Sequence, residues 1–145
     1  MSTDLAALYS ARLLALAADI PHLGRLDAPD ATVRERAPLC GSTVTVDIAV
    51  ANGRIVDFAQ DVKACALGQA AAAIVGQNAI GRSLDEMAKA VDEFRAFLKD
   101  DGPIPSAPFD GFEALLPARA YTNRHASILL SLTATAKALT HLDGA

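Results

Sequence analysis

The stretch Thr43-Val44-Thr45-Val46-Asp47-Ile48-Ala49-Val50-Ala51-Asn52-Gly53-Arg54-Ile55-Val56 decides the fold class. Val44, Val46, Ile48 and Val50 alternate with smaller or polar residues, the period of a strand with one buried face. Asn52-Gly53 then supplies the positive φ angles of a tight hairpin turn. The chain is expected to return antiparallel over residues 54–62. Upstream, residues 31–37 read as a shorter strand, partly exposed because Arg34, Glu35 and Arg36 crowd it. Together these make a meander of about three strands.

Helical patterns flank the meander. Residues 4–18 carry Leu5, Leu8, Leu13 and Leu16 as an apolar stripe, and Pro21 stops the helix. After the hairpin, residues 66–80 are rich in small side chains, which lets a helix lie close on a sheet. Gly81 ends that helix, and Ser83 with Glu86 forms a capping box for the next, which runs through Met87, Val91, Phe94, Phe97 and Leu98. A proline-rich loop over residues 101–108 leads to a short helical piece, 109–116, before Pro117. The last helix spans residues 123–141, with His125, Leu129, Leu132, Ala136 and Leu139 along one face. The pattern predicts an α+β fold: an N-terminal helix, a small antiparallel sheet, then helices packed on one face of it. Residues 1–145 read as a single domain.

Composition narrows the function. The 52% hydrophobic content is inflated by alanine, and no apolar run approaches the roughly 20 residues that span a bilayer. A net charge of −4 with scattered Lys and Arg argues against nucleic acid as a partner, and nothing points to a membrane. The N-terminus lacks a basic region followed by an apolar one, so a cytoplasmic location is expected. There the two cysteines are expected to be free thiols or metal ligands rather than a disulfide.

Those cysteines sit where strands give way. Cys40 lies in Pro38-Leu39-Cys40-Gly41-Ser42, at the entrance to the central hairpin. Cys65 lies in Lys63-Ala64-Cys65-Ala66, at its exit and at the start of a helix. A hairpin returns the chain to its starting end, so Cys40 and Cys65 are expected neighbours. His125 stands at the start of the last helix and joins them if that end docks beside the hairpin. Two thiols and an imidazole are a soft-metal donor set, and the helix N-terminus and Lys63 both favour negative charge at the Cys65 sulfur. The plainer alternatives stay open at this point: Cys65 as a small buried apolar residue, and His125 as a helix-start histidine bonded to a neighbour or facing solvent. Arg119 and Arg124 read as solvated surface residues.

In their order and spacing these segments resemble the U-type iron–sulfur cluster scaffold family, which includes IscU, SufU and the N-terminal domain of NifU. Pro38-Leu39-Cys40-Gly41-Ser42 is similar to the family's Cys-Gly-Asp motif. Lys63-Ala64-Cys65-Ala66 is similar to its second motif, Gly-Cys followed by small residues. Gly81-Arg82-Ser83-Leu84-Asp85-Glu86 is similar to Gly-Lys-Ser-Leu-Asp-Glu, and Pro117-Ala118-Arg119 looks like the SufU branch. Three departures stand out: Ser42 replaces the aspartate, Ala64 replaces the glycine, and the third cysteine is missing. His125 falls either on that cysteine or on the family histidine beside it, with Ala126 then in the cysteine's place.

The resemblance implies a scaffold or carrier rather than an enzyme. It would bind iron or a [2Fe–2S] cluster through Cys40, Cys65 and His125, with a second subunit or an exogenous thiol completing the coordination, so a homodimer is one expectation. Cysteine desulfurase and iron–sulfur acceptor proteins are the implied partners. The alternatives are a zinc-binding, SufU-like sulfur acceptor for a cysteine desulfurase, and a degenerate member that binds no metal. A Cys–His hydrolase is disfavoured, because no third orienting group or oxyanion-hole motif is apparent.

Overall fold

The computed structural model describes residues 9–39 and 41–143, with Asp143 described by its backbone alone. Cys40, Leu5 and Leu8 lie outside the described residues.

The hairpin forms as the alternation requires. Strands β2 (Thr43–Ala51) and β3 (Arg54–Lys63) pair antiparallel from Thr43↔Lys63 to Ala51↔Arg54. Asn52 (φ 55°) and Gly53 (φ 75°) make the turn, both in the left-handed region that a two-residue hairpin loop needs. A bulge between Ala49 and Val50 shifts the register, so the alternation slips before the turn and Val50 is only half-buried. Strand β1 (Ala31–Arg36) pairs antiparallel with the other side of β2, giving the order β1-β2-β3. Val33, Val44, Val46, Ile48 and Phe58 are buried along the inner face.

Helix α1 (Ala11–Ala18) is shorter than the helix expected over residues 4–18. Ser10 stands in extended conformation (φ −60°, ψ 162°) and its hydroxyl accepts the Leu13 amide at 3.1 Å. Serine competes for backbone donors in this way, and here it caps the start of α1 at Ala11. Helix α2 (Ala66–Asn78) is buried from Leu67 to Gly76 except for the half-buried Gln69. Its alanines let α1 and α4 pack close on either side, as a helix apolar on all faces must. Helix α3 (Leu84–Lys99) begins at Ser83 with the expected capping box, Ser83 and Glu86 each accepting the other's amide.

The segment expected to be helical over residues 109–116 is a 3-10 helix, Phe109–Ala120, and it continues through Pro117. Its far end is held by Arg119. The Arg119 Nε donates to the Phe97 carbonyl at 2.6 Å, a second nitrogen donates to the Gly102 carbonyl, and the guanidinium lies 4.5 Å over the Phe97 ring. Arg119 is therefore a half-buried clamp, not the solvated residue its sequence suggests. A separate 3-10 turn, Thr122–Arg124, precedes helix α4 (His125–Asp143).

The outer face of the sheet is covered in part by residues 21–30. Gly24 donates its amide to the Gln60 carbonyl and Gln60 donates to that of His22, which masks an edge of β3. Arg25 then reaches the fully buried Asp47, with Nε and a terminal nitrogen at 2.7 and 3.1 Å. The Leu26 amide and Thr32 hydroxyl bond the same carboxylate at 3.0 and 2.6 Å. Burial alone would push the Asp47 carboxyl up, but these donors outweigh it and hold it below the usual carboxylate range.

Candidate functional site

Because Thr43 pairs with Lys63, the residues just outside the pair, Ser42 and Ala64-Cys65, lie side by side at the open end of the hairpin. Cys65 is the N-cap of α2, extended at φ −67° and ψ 171°, and its side chain caps no backbone amide. The sulfur is thus not committed to the helix, and the residue is half-buried. Cys40, the expected second thiol, lies outside the described residues; Gly41, next to it, has φ 72°.

Helix α4 supplies the third side of the site. The side chain that meets Cys65 is Ser127, with Sγ and Oγ 3.7 Å apart. Ser127 Oγ also lies 2.9 Å from Ser42 Oγ, and both serines are buried. A hydroxyl has one hydrogen. When Ser127 donates to Ser42 it can only accept from the Cys65 thiol. A Cys65 thiolate requires the reverse, with Ser127 turned toward sulfur and accepting from Ser42. The three groups form a short relay whose direction follows the charge on sulfur.

What lets α2 and α4 approach this closely is Gly68. A Cβ there would lie 2.8 Å from Ala64 Cβ and 2.8 Å from Ser127 Oγ, well inside the roughly 3.5–4.0 Å of carbon contacts. The missing side chain at position 68 therefore fixes the distance between the Cys65 and Ser127 helix ends.

His125 sits two residues before Ser127, a helical offset of about 200°, so the two side chains leave α4 on opposite sides. The imidazole is buried, with Nε2 3.0 Å from the Ala118 carbonyl and 3.1 Å from that of Arg119. Carbonyls only accept, so Nε2 carries a hydrogen, and in the neutral ring Nδ1 holds a lone pair. Nδ1 is buried with no hydrogen-bond partner among the described residues, an exception that calls for an explanation. Among the described residues no three His, Cys, Asp or Glu side chains converge to hold a metal ion. The described part of the site therefore offers one strong soft donor, Cys65, beside two hydroxyls that are weak ligands at neutral pH.

Ser127 was the residue that the sequence hid. Ser127, Ser131 and Thr135 recur every four residues, and all three are buried. Ser131 donates to the Gln60 side chain at 2.7 Å, and Gln60 in turn donates to the Ala72 carbonyl at 2.9 Å. This polar file faces the sheet and α2. The apolar stripe through His125 and Leu129 drew attention to another face of a helix that is buried on several.

Comparisons with known proteins bear on the fold and the family. The family model for the NifU-like N terminal domain matches residues 8–109. Among solved structures, the N-terminal part of a nitrogen-fixing NifU-like protein from Brucella abortus is 38% identical, covers 99% of both chains and superposes with a TM-score of 0.95. A protein from Fervidobacterium islandicum, assigned as an iron–sulfur cluster assembly scaffold for the SUF system, has a TM-score of 0.82 over 94% of this chain and 99% of its own. At 17% identity it speaks for the fold alone. Among curated proteins no sequence matches. With a family model over most of its length, a near-complete structural relative, and a cysteine at the start of the helix that follows the hairpin, the chain belongs to the NifU-like N-terminal domain family.

Proposed function

We propose that this protein is an iron–sulfur cluster assembly scaffold or carrier, with iron or a [2Fe–2S] cluster as its cargo. Cys40 and Cys65 supply the thiolates. The observation that carries this reading is Cys65 itself: a half-buried thiol at a helix N-terminus, uncommitted to capping, beside a hydroxyl relay that can turn a hydrogen toward a sulfur anion. His125 is the proposed third ligand through Nδ1, whose lone pair has no partner among the described residues. Because Ser127 faces Cys65, the imidazole reaches the thiols only if the first turn of α4 re-forms. That movement gives up the single Nε2 hydrogen bond shared between the two carbonyls, at a cost of about 1 kcal/mol. Cysteine desulfurase and iron–sulfur acceptor proteins are the proposed partners, and the cytoplasm the proposed location.

Anaerobic addition of ferrous iron and sulfide should produce thiolate-to-iron charge-transfer absorption that disappears in Cys40→Ala and in Cys65→Ala. Absorption retained in both variants sinks the site. His125→Ala should weaken iron binding about tenfold, the loss expected for a ligand or its close support; unchanged affinity removes His125 and leaves the thiolate pair standing.

The partial exposure of Cys65 also favours a second reading, a zinc-binding, SufU-like sulfur acceptor. The Cys65 thiolate would attack the outer sulfur of a desulfurase persulfide, the sulfur–sulfur bond of the donor would break, and the donor cysteine would leave as thiolate. Cys65 would then carry the persulfide with no net redox change. Mass spectrometry after incubation with a desulfurase and cysteine checks this, through a 32 Da increase (the mass of one sulfur, by about that amount) on the Cys65 peptide.

A further inference from the structure

We infer that the groove between β1, α3 and α4 is a docking surface for an acidic segment of another protein, one that carries an apolar side chain between carboxylates. The groove encloses about 320 Å³. Its floor is apolar, from Ala126, Leu129 and Leu130 on α4, and its rim is basic, from Arg36, Arg95, Lys99 and Lys137. Arg36 continues the same surface around the end of β1 into a second open groove that holds Arg34 and Lys63. The register explains the grouping: Arg36, Thr43 and Lys63 are paired across three strands, so they share one row on the outer face.

Six of the chain's 13 Lys and Arg residues thus line two adjoining grooves (Arg34, Arg36, Lys63, Arg95, Lys99, Lys137) on a protein of net charge −4. Opposing charge is sparse. Glu35 is engaged with Lys137 at 2.7 Å, and Asp61 lies across Thr45 from Arg34. Arg34, Arg36, Lys63, Arg95 and Lys99 form no ion pair among the described residues. Cations held this close together repel one another unless something neutralises them. The apolar floor selects the class of partner. A polyanion such as RNA would use the rim alone, whereas a peptide with carboxylates around a leucine or phenylalanine would use rim and floor together.

The groove also borders the thiol site. Ala126 precedes Ser127, and Arg36 pairs with Thr43, the neighbour of Ser42. The inference does not depend on cargo, and its test uses the metal-free full chain.

The probe is a displayed library of random dodecapeptides, selected against the parent protein and then measured as synthetic peptides. Enriched peptides should carry Asp or Glu around an apolar residue. They should bind Arg95→Glu/Lys99→Glu at least tenfold more weakly and lose affinity as salt rises. Both positions are exposed, and an unchanged circular dichroism spectrum verifies that the variant folds. The inference is overturned if no peptide is enriched, if the enriched peptides lack acidic residues, or if they bind the double variant as tightly as the parent. It is also overturned if a random oligonucleotide competes for the groove as well as the peptides do, or if sedimentation shows a parent dimer that this variant abolishes, which would make a second copy the occupant.

Discussion

Gly68→Ala tests whether the contact between the α2 and α4 starts is as tight as the geometry says. The added methyl would lie 2.8 Å from Ala64 Cβ, which cannot rotate away, and 2.8 Å from Ser127 Oγ, which can. The Ser127 carbonyl at 3.2 Å leaves little room for the backbone to yield. Overpacking of this kind costs about 1–3 kcal/mol. Replacing glycine by alanine in a helix returns up to about 1 kcal/mol, and less here because position 68 is in the first turn of α2. The expected net effect is a destabilisation of about 1 kcal/mol, measured by urea denaturation of the reduced, metal-free protein. Rotating Ser127 away from the methyl also breaks its contacts with Cys65 and Ser42, so part of the cost belongs to the pair. In a double-mutant cycle with Ser127→Ala, the coupling should be about 0.5–1 kcal/mol. With Cys40→Ala as background, so that Cys65 is the sole thiol, Gly68→Ala should speed its alkylation. A stabilised Gly68→Ala protein with no coupling to Ser127 would refute the close approach on which the site geometry rests.

Other expectations follow from the same structure. Ser83→Ala removes one half of the α3 capping box and should cost about 1 kcal/mol in urea denaturation; no measurable loss would mean that the cap is idle. Asp47→Asn removes a carboxylate bonded by Arg25, Thr32 and Leu26, and should destabilise by about 1–3 kcal/mol, since neutral partners replace charge-assisted ones. Because the folded protein holds the Asp47 carboxyl below its usual range, the carboxylate contributes stability above the unfolded value. That contribution is lost as the pH falls below about 4 and through the lower folded value. The parent should therefore lose more stability than Asp47→Asn between about pH 5 and pH 2, and parallel curves would exclude Asp47 as the cause. Ser127→Cys places a third thiol against Cys65 and should strengthen iron binding relative to the parent; weaker binding would argue that Ser127 is not beside the cargo.

The hairpin was legible because alternation and an Asn-Gly turn are local signals, and both survive folding. The capping box at Ser83 and Glu86 was legible for the same reason. The helix start after Ser10 was missed, because a leucine stripe over residues 4–18 outweighs one serine until the chain is seen to need a cap there. Arg119 was misjudged because its partners, the Phe97 and Gly102 carbonyls, are backbone groups that leave no trace in sequence. At the site, the position of Cys65 beside the hairpin end followed from topology. The choice among His125, Ala126 and Ser127 did not, since one residue of helical phase is 100° and several faces of α4 are buried. The register of α4 against α2 is set by the Gly68 contact, a tertiary feature with no local signature.

The most direct test of the central claim is metal and acid-labile sulfide analysis of the protein purified without oxygen and without added metal. The scaffold or carrier account predicts bound iron accompanied by sulfide, both lost in Cys65→Ala. Zinc without sulfide would contradict an iron–sulfur cargo, and protein free of both metals would contradict a metal-binding role for the thiol pair.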